Sequence, residues 1–257
     1  MSALGRRPHG VLRAGLGRVR REVLERLDAS SSAPTYPADF DADLIATIER
    51  VGPYSITSPE RVAALVSATG HVVHSELPGA FVECGVWKGG SMMATALTLL
   101  RLGVNDRDLY LFDTFSGMSE PTAVDVEVGA DGVPAEATAT WESINEWCAI
   151  GLGEVRANLE STGYPSERLH FVEGKVEDTV PAHAPGKIAL LRLDTDWYAS
   201  TAHELEHLYP RLCRGGILLI DDYGHWSGAR KAVDEYFADG SPFLQRVDYT
   251  ARLAVKP

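Results

Sequence analysis

The sequence predicts an α/β fold built on a mostly parallel sheet, and three observations predict it. Lys187 to Tyr223 holds an apolar run, Ile188 to Leu193, then a helical pattern, then a second apolar run, Ile217 to Ile220. Ala80 to Cys84 forms another such run and leads through a glycine-rich turn into a helical pattern that starts at Ser91. Leu109 to Phe112 and Leu169 to Val172 repeat the short apolar run, with helical patterns between. Short buried strands that alternate with helices imply crossover connections, and crossovers place neighbouring strands parallel.

The 257 residues suffice for one large α/β domain with a sizeable core. A net charge of −12 argues against nucleic acid as the main partner, because phosphate backbones need a basic field. No apolar run approaches the ~18 residues of a membrane span. The three cysteines, Cys84, Cys148 and Cys213, are too few and scattered for a disulfide framework and fit a reducing cytoplasm.

Taken in order, residues 1–35 read as a basic arm, with six arginines before Glu22 and Leu12, Leu16, Val19, Val23 and Leu27 at helical spacing. The domain proper spans 36–257. Leu44, Ile45, Ile48 and Val51 define a helix that Pro53 ends. Thr57 or Ser58 is placed to cap the next helix, opened by Pro59 and Glu60. The loop bearing Tyr54, Ser55 and Thr57 is also placed to close over a ligand.

The turn after the first strand, Glu83-Cys84-Gly85-Val86-Trp87-Lys88-Gly89-Gly90-Ser91, has neither G-x-G-x-x-G nor P-loop spacing. The second strand ends on Asp113, where such sheets hold ribose hydroxyls. Residues 118–150 form a long insertion with seven acids and no Lys or Arg, expected as a lid or substrate wall. A hairpin from Phe243 to Val247 and Arg252 to Val255 closes the chain.

The strand–helix–strand unit delivers Asp194 and Asp196 at one strand exit and Asp221 and Asp222 at the next. Parallel neighbours bring these ends to one sheet edge, where open α/β sheets bind ligands. Carboxylates so gathered repel one another unless a cation or protons intervene. Asp194, Asp221 and Asp222 make an oxygen-only donor set suited to Mg²⁺, Mn²⁺ or Ca²⁺. A rival lies between the strands. His203-Glu204-Leu205-Glu206-His207 matches H-E-x-x-H, the helix of zinc metalloproteases. A crossover helix must lay one face on the sheet, and Leu205, Leu208 and Leu212 read as that face, so the histidines are expected toward the flank and a zinc hydrolase is disfavoured.

Together, ECGVWKGGS, LYLFDTFSGM, LRLDTDWY with HELEHLYPRL, and IDDYGHWSGARKAVDEYF resemble the macrocin and mycinamicin O-methyltransferase family, which includes a noviose methyltransferase. The resemblance runs from about Tyr36 to the C-terminus. It implies a Rossmann-like class I methyltransferase fold with a seven-stranded sheet, dependent on S-adenosylmethionine and on Mg²⁺, with Mn²⁺ as a substitute. It implies a small-molecule glycoside acceptor, methylated on a sugar hydroxyl; a catechol or phenol is the alternative. Asp194, Asp221 and Asp222 would bind the metal, and Asp194 would also act as general base. Thr57, Glu83, Gly85 and Ser91 would contact the cofactor, and Asp113 its ribose. Ser55-Ile56-Thr57 departs from the family's Thr-Met-Thr. The arm and the acidic insertion hint at a homo-oligomer.

Overall fold

The computed structural model describes residues 36–128, 135–136, 141 and 145–257. The basic arm over 1–35, with its expected helix, lies outside the described residues, as does part of the acidic insertion. Phe40–Pro257 is one compact unit.

Helix α1 (Ala42–Val51) starts at Asp41, whose carboxylate accepts the Leu44 amide at 2.8 Å. Pro53 sits in the tight turn that follows, Gly52–Tyr54. Of the two candidate caps for α2 (Pro59–His74), Ser58 is the one used, and its hydroxyl accepts the Arg61 amide at 3.2 Å. Strand β1 (Ala80–Cys84) then leads into α3 (Gly90–Arg101), and β2 (Leu109–Asp113) into the insertion. The insertion carries a two-stranded pair, β3 (Val126–Glu127) and β4 (Ala135–Glu136). Helix α4 (Leu152–Glu160), strand β5 (Leu169–Glu173), the short α5 (Val176–Thr179) and β6 (Ile188–Leu193) follow. Helix α6 (Tyr198–Leu208) crosses to β7 (Leu212–Ile220), and α7 (Ser227–Tyr236) precedes β8 (Gln245–Arg246) and β9 (Arg252–Val255).

Seven of the described strands pair in the order β5-β2-β1-β6-β7-β9-β8. β5, β2, β1, β6 and β7 are mutually parallel, and β9 and β8 close the sheet antiparallel. Strands buried on both faces read as continuous apolar runs. Accordingly β1 and β6 are buried at every position. Each large core side chain contributes about 1.5–3 kcal/mol on leaving water. Leu205 and Leu208, both fully buried, thereby hold α6 against the sheet.

Two readings need correction. Leu212 belongs to β7, not to the apolar face of α6, which ends at Leu208 and passes through the tight turn Tyr209–Arg211. Pro210 cannot continue a helix. β7 therefore starts earlier than its apolar run and bulges. Ile188 pairs with Leu212, while Leu190 pairs with Ile217. Gly215 takes φ +77 inside that bulge, and its amide bonds the Lys256 carbonyl at 2.8 Å. The closing hairpin is also shorter than its apolar pattern, because the Asp248 side chain accepts the Thr250 and Ala251 amides and folds the connection tightly.

Candidate active site at the carboxyl edge of the sheet

The parallel strands β2, β1, β6 and β7 all end at one edge, and their ends carry Asp113, Glu83, Asp194 and Asp221-Asp222. Asp194, Asp221 and Asp222 each present a carboxylate oxygen within 4.8 Å of the others. Asp221 and Asp222 are buried, whereas the Asp194 side chain keeps 29% of its surface open.

Two arginines complete the cluster. Arg192, inside the apolar run of β6, lies opposite Glu83 of β1 and is 5% exposed. Its Nη1 donates to Glu83 Oε1 at 2.8 Å and to Asp194 Oδ2 at 2.6 Å, and its Nη2 donates to Asp221 Oδ1 at 2.6 Å. Arg61, from α2, donates through Nη1 to Asp221 Oδ2 and pairs through Nε with Asp248 at 3.0 Å. Sequence reading passed over both. Arg192 left a signal, since an arginine in a six-residue buried strand needs carboxylate partners. Arg61 left none, being one charge in a solvent-facing helical pattern.

The cations are unevenly shared. Burial alone would push Asp221 up, but Arg192 and Arg61 outweigh it and hold the group below its ordinary value. Asp222 faces Asp196, Asp194 and Asp221 without such help, so burial and then those neighbours push it well up. Burial raises Asp194 well above the ordinary range despite Arg192, and raises Asp196 to about 6. Asp194, Asp196 and Asp222 thus hold protons readily unless a cation joins them. That imbalance, with three oxygen donors converging, is chemistry that fits a hard divalent cation.

The glycine-rich turn is fitted to this edge. A Cβ on Gly85 (φ +80) would stand 1.9 Å from the Asp194 carbonyl oxygen, so glycine lets the turn lie directly on the Asp194 main chain. The Val86 and Trp87 amides both donate to Asp113 Oδ2, at 2.6 and 3.3 Å, and the Phe115 amide to Oδ1 at 2.7 Å. Asp113 thereby tethers the turn, a task the sequence did not suggest. Glu83 has one oxygen on Arg192, while its buried Oε2 has no hydrogen-bond partner among the described residues. Burial raises Glu83 to about 7. That orphaned acceptor fits a ligand donor such as an ammonium group. Ser91 is buried in the first turn of α3. Thr57 is half-buried, its amide on Ser55 Oγ at 3.1 Å, and the Tyr54-Ser55 backbone presses so closely on Gly90 that a Cβ there would meet the Tyr54 carbonyl at 2.4 Å. The expected lid segment therefore borders the turn.

The described part of the insertion packs against the starts of α6 and α7. Asp125, 2% exposed, accepts the Tyr198 amide at 2.8 Å and so caps α6 from outside. Trp197 donates to the Ser119 carbonyl at 2.8 Å, and Ser227 bonds Val124 and Val126.

The H-E-x-x-H residues serve packing. Glu204 is fully buried, with both oxygens accepting the Thr195 hydroxyl at 3.0 and 3.2 Å. It anchors the residue after Asp194 from beneath. His203 Nε2 bonds the Val180 carbonyl at 2.9 Å, and the two histidine rings meet edge to face. No group of three metal-donor residues among the described ones includes them. Cavities of about 510 and 420 Å³ lie away from the carboxylates, at the opposite sheet edge and between α2 and the closing strands.

A doubly wound sheet of this strand order, with a glycine-rich first turn but no phosphate cradle, defines a class I methyltransferase fold. The structure of the O-methyltransferase NovP matches it with a TM-score of 0.69 at 29% identity, over 79% of this chain and 82% of that one. The chain belongs to the macrocin O-methyltransferase (TylF) family, whose profile matches residues 21–252. It is 38% identical over 165 residues to 8-demethyl-8-(2,3-dimethoxy-alpha-L-rhamnosyl)-tetracenomycin-C 4'-O-methyltransferase of Streptomyces olivaceus, covering 64% of this chain and 60% of that protein. It is 34% identical over 167 residues to demethyldecarbamoylnovobiocin O-methyltransferase of Streptomyces niveus, covering 65% and 61%. The chain thus spans about three fifths of these curated relatives. No helix among the described residues is long and apolar enough to cross a membrane.

Proposed function

We propose that this protein is an S-adenosylmethionine-dependent O-methyltransferase that methylates a sugar hydroxyl of a glycosylated natural product with the help of Mg²⁺. The observation that carries the reading is the convergence of Asp194, Asp221 and Asp222 beside the glycine-rich turn. Family membership supports methyl transfer, and the rhamnosyl group in the name of the Streptomyces olivaceus relative supports a sugar over a catechol or phenol.

The residues divide the work. Asp194, Asp221 and Asp222 would hold the divalent cation. Glu83, through Oε2, would take the ammonium of the cofactor; Gly85, Ser91 and Thr57 would border its methionine end and Asp113 its ribose. When bound, S-adenosylmethionine supplies an electrophilic methyl group, and Mg²⁺ makes a nearby hydroxyl more acidic. Asp194 would take the proton. Burial raises its affinity for protons, the direction a general base needs. Arg192 holds Asp194 in position through the 2.6 Å bond, and Glu204 fixes the adjoining Thr195. The wall at 118–128 would exclude water and border the acceptor. A soluble cytoplasmic setting accords with this chemistry.

The direct test is mass spectrometry of deoxysugar glycosides incubated with S-adenosylmethionine, with a gain of one methyl expected. EDTA should abolish the gain and Mg²⁺ restore it. Methylation undiminished by the chelator would remove the metal from the proposal while leaving the transferase.

A further inference from the structure

The two arginines of the cluster are held in different ways. Arg192 is fixed. Its main chain is paired on both sides within the sheet, and its side-chain partners, Glu83, Asp194 and Asp221, all belong to the cluster. Arg61 arrives from outside the sheet and has a second home. Its Nε pairs with Asp248 at 3.0 Å, and the Ser58 hydroxyl donates to the same Asp248 oxygen at 2.8 Å. Asp248 is itself anchored by the Thr250 and Ala251 amides at 2.9 and 2.8 Å. Only the Nη1 end of Arg61 reaches Asp221.

Both oxygens of Asp221 are consequently engaged by guanidinium groups, one immovable and one tethered elsewhere. A divalent cation drawn to Asp194, Asp221 and Asp222 meets Arg61 as a rival for Asp221. Stripping a buried cation of its partners is strongly unfavourable. Arg192 would suffer that loss, but Arg61 would not, because Asp248 and Ser58 remain. We propose that Arg61 is a displaceable counter-cation: it pairs with Asp221 in the metal-free protein and withdraws onto Asp248 and Ser58 when a divalent cation binds. The inference rests on the metal reading of the preceding section. It makes Arg61 a positioning residue that sets metal affinity, distinct from the cluster's permanent cation.

The test is calorimetric titration of Mg²⁺ into the full chain without cofactor or acceptor, for wild type, Arg61→Gln, Asp248→Asn and the double variant. Arg61→Gln should bind Mg²⁺ roughly tenfold more tightly, since the rival is gone. Asp248→Asn should bind it more weakly, because Arg61 then has no second carboxylate and stays on Asp221. In the Arg61→Gln background, Asp248→Asn should change affinity by no more than about twofold. An equal loss in both backgrounds would show Asp248 acting only as nearby negative charge, and would overturn the proposal. So would unchanged or weaker binding by Arg61→Gln. If Arg61→Gln does not fold, Arg61→Lys, which cannot span both carboxylates, should also tighten binding, and a failure to do so overturns the proposal. No binding by any folded variant, wild type included, refutes the metal reading itself, whereas binding by wild type that ignores Arg61 refutes the displacement alone.

Discussion

Helix α6 and the ends of β6 and β7 each gather side chains with metal-binding chemistry, in opposite surroundings. On α6, Glu204 is sealed beneath the Asp194 loop and bonded to Thr195, and His203 is committed to the Val180 carbonyl. At the strand ends, Asp194 remains partly open, and burial and neighbouring carboxylates dominate the surroundings of Asp222. The residue types alone would favour the helix as a zinc site. What separates the two regions is whether the donors converge on one another and whether their lone pairs are already taken. The helix motif supports the site mechanically, through Thr195, and the strand ends carry the charge.

The largest expected effect falls on the strand ends. Asp194→Asn should reduce methyl transfer about 10²–10⁴-fold, as for loss of a general base. Cofactor affinity, read by calorimetry, should stay near wild type. Turnover close to wild type would return Asp194 to a supporting role and erase the contrast. On α6 the expected loss is one of stability. Glu204→Ala should lower unfolding free energy by about 2–4 kcal/mol in urea titrations, from the cavity and the stranded Thr195 hydroxyl. Glu204→Gln retains the acceptor and should keep turnover within about threefold, far less than a proton-transfer residue would show. His203→Ala should cost about 0.5–1.5 kcal/mol, the worth of one hydrogen bond. Its zinc content by elemental analysis should match wild type; a fall would revive the zinc reading.

A further effect is a pH dependence. Burial, and then Arg61, lower His225 to about 4 from an ordinary value of 6.5. In acid the unfolded chain takes up this proton first. The stability His225 contributes above pH 6.5 should therefore drain away between about pH 6.5 and 4. His225→Gln should flatten that part of the melting-temperature profile. An identical slope in both proteins would show that the imidazole titrates normally, and that the region beside the carboxylates is less dry than its packing suggests.

Much of this was legible in the sequence. Ala80–Cys84 and Ile188–Leu193 are strands at the bounds their apolar runs define, because strands buried on both faces are mostly apolar, here interrupted only by the paired Glu83 and Arg192. Asp194, Asp221 and Asp222 converge as the parallel connection requires. The bulge at 213–216 was hidden, since its irregular pairing follows no hydrophobic period. Arg61 and Asp248 were hidden for a different reason. Arg61 and Asp221 stand 160 positions apart, and Ser58 and Asp248 190, and no local pattern marks such pairs. Asp125 looked like one more acid in an acidic stretch, although it is buried and bonded while its neighbours Val124 and Val126 are exposed or half-exposed.

That last residue bears on engineering. Asp125 pegs the insertion to the start of α6, the same helix whose Glu204 steadies the Asp194 loop. The chain up to residue 128 is thus built into the packing that steadies the carboxylate cluster, and a graft beginning upstream of it would loosen that support. A segment exchange meant to leave the carboxylate cluster intact should therefore keep Asp125 and its bond to the Tyr198 amide.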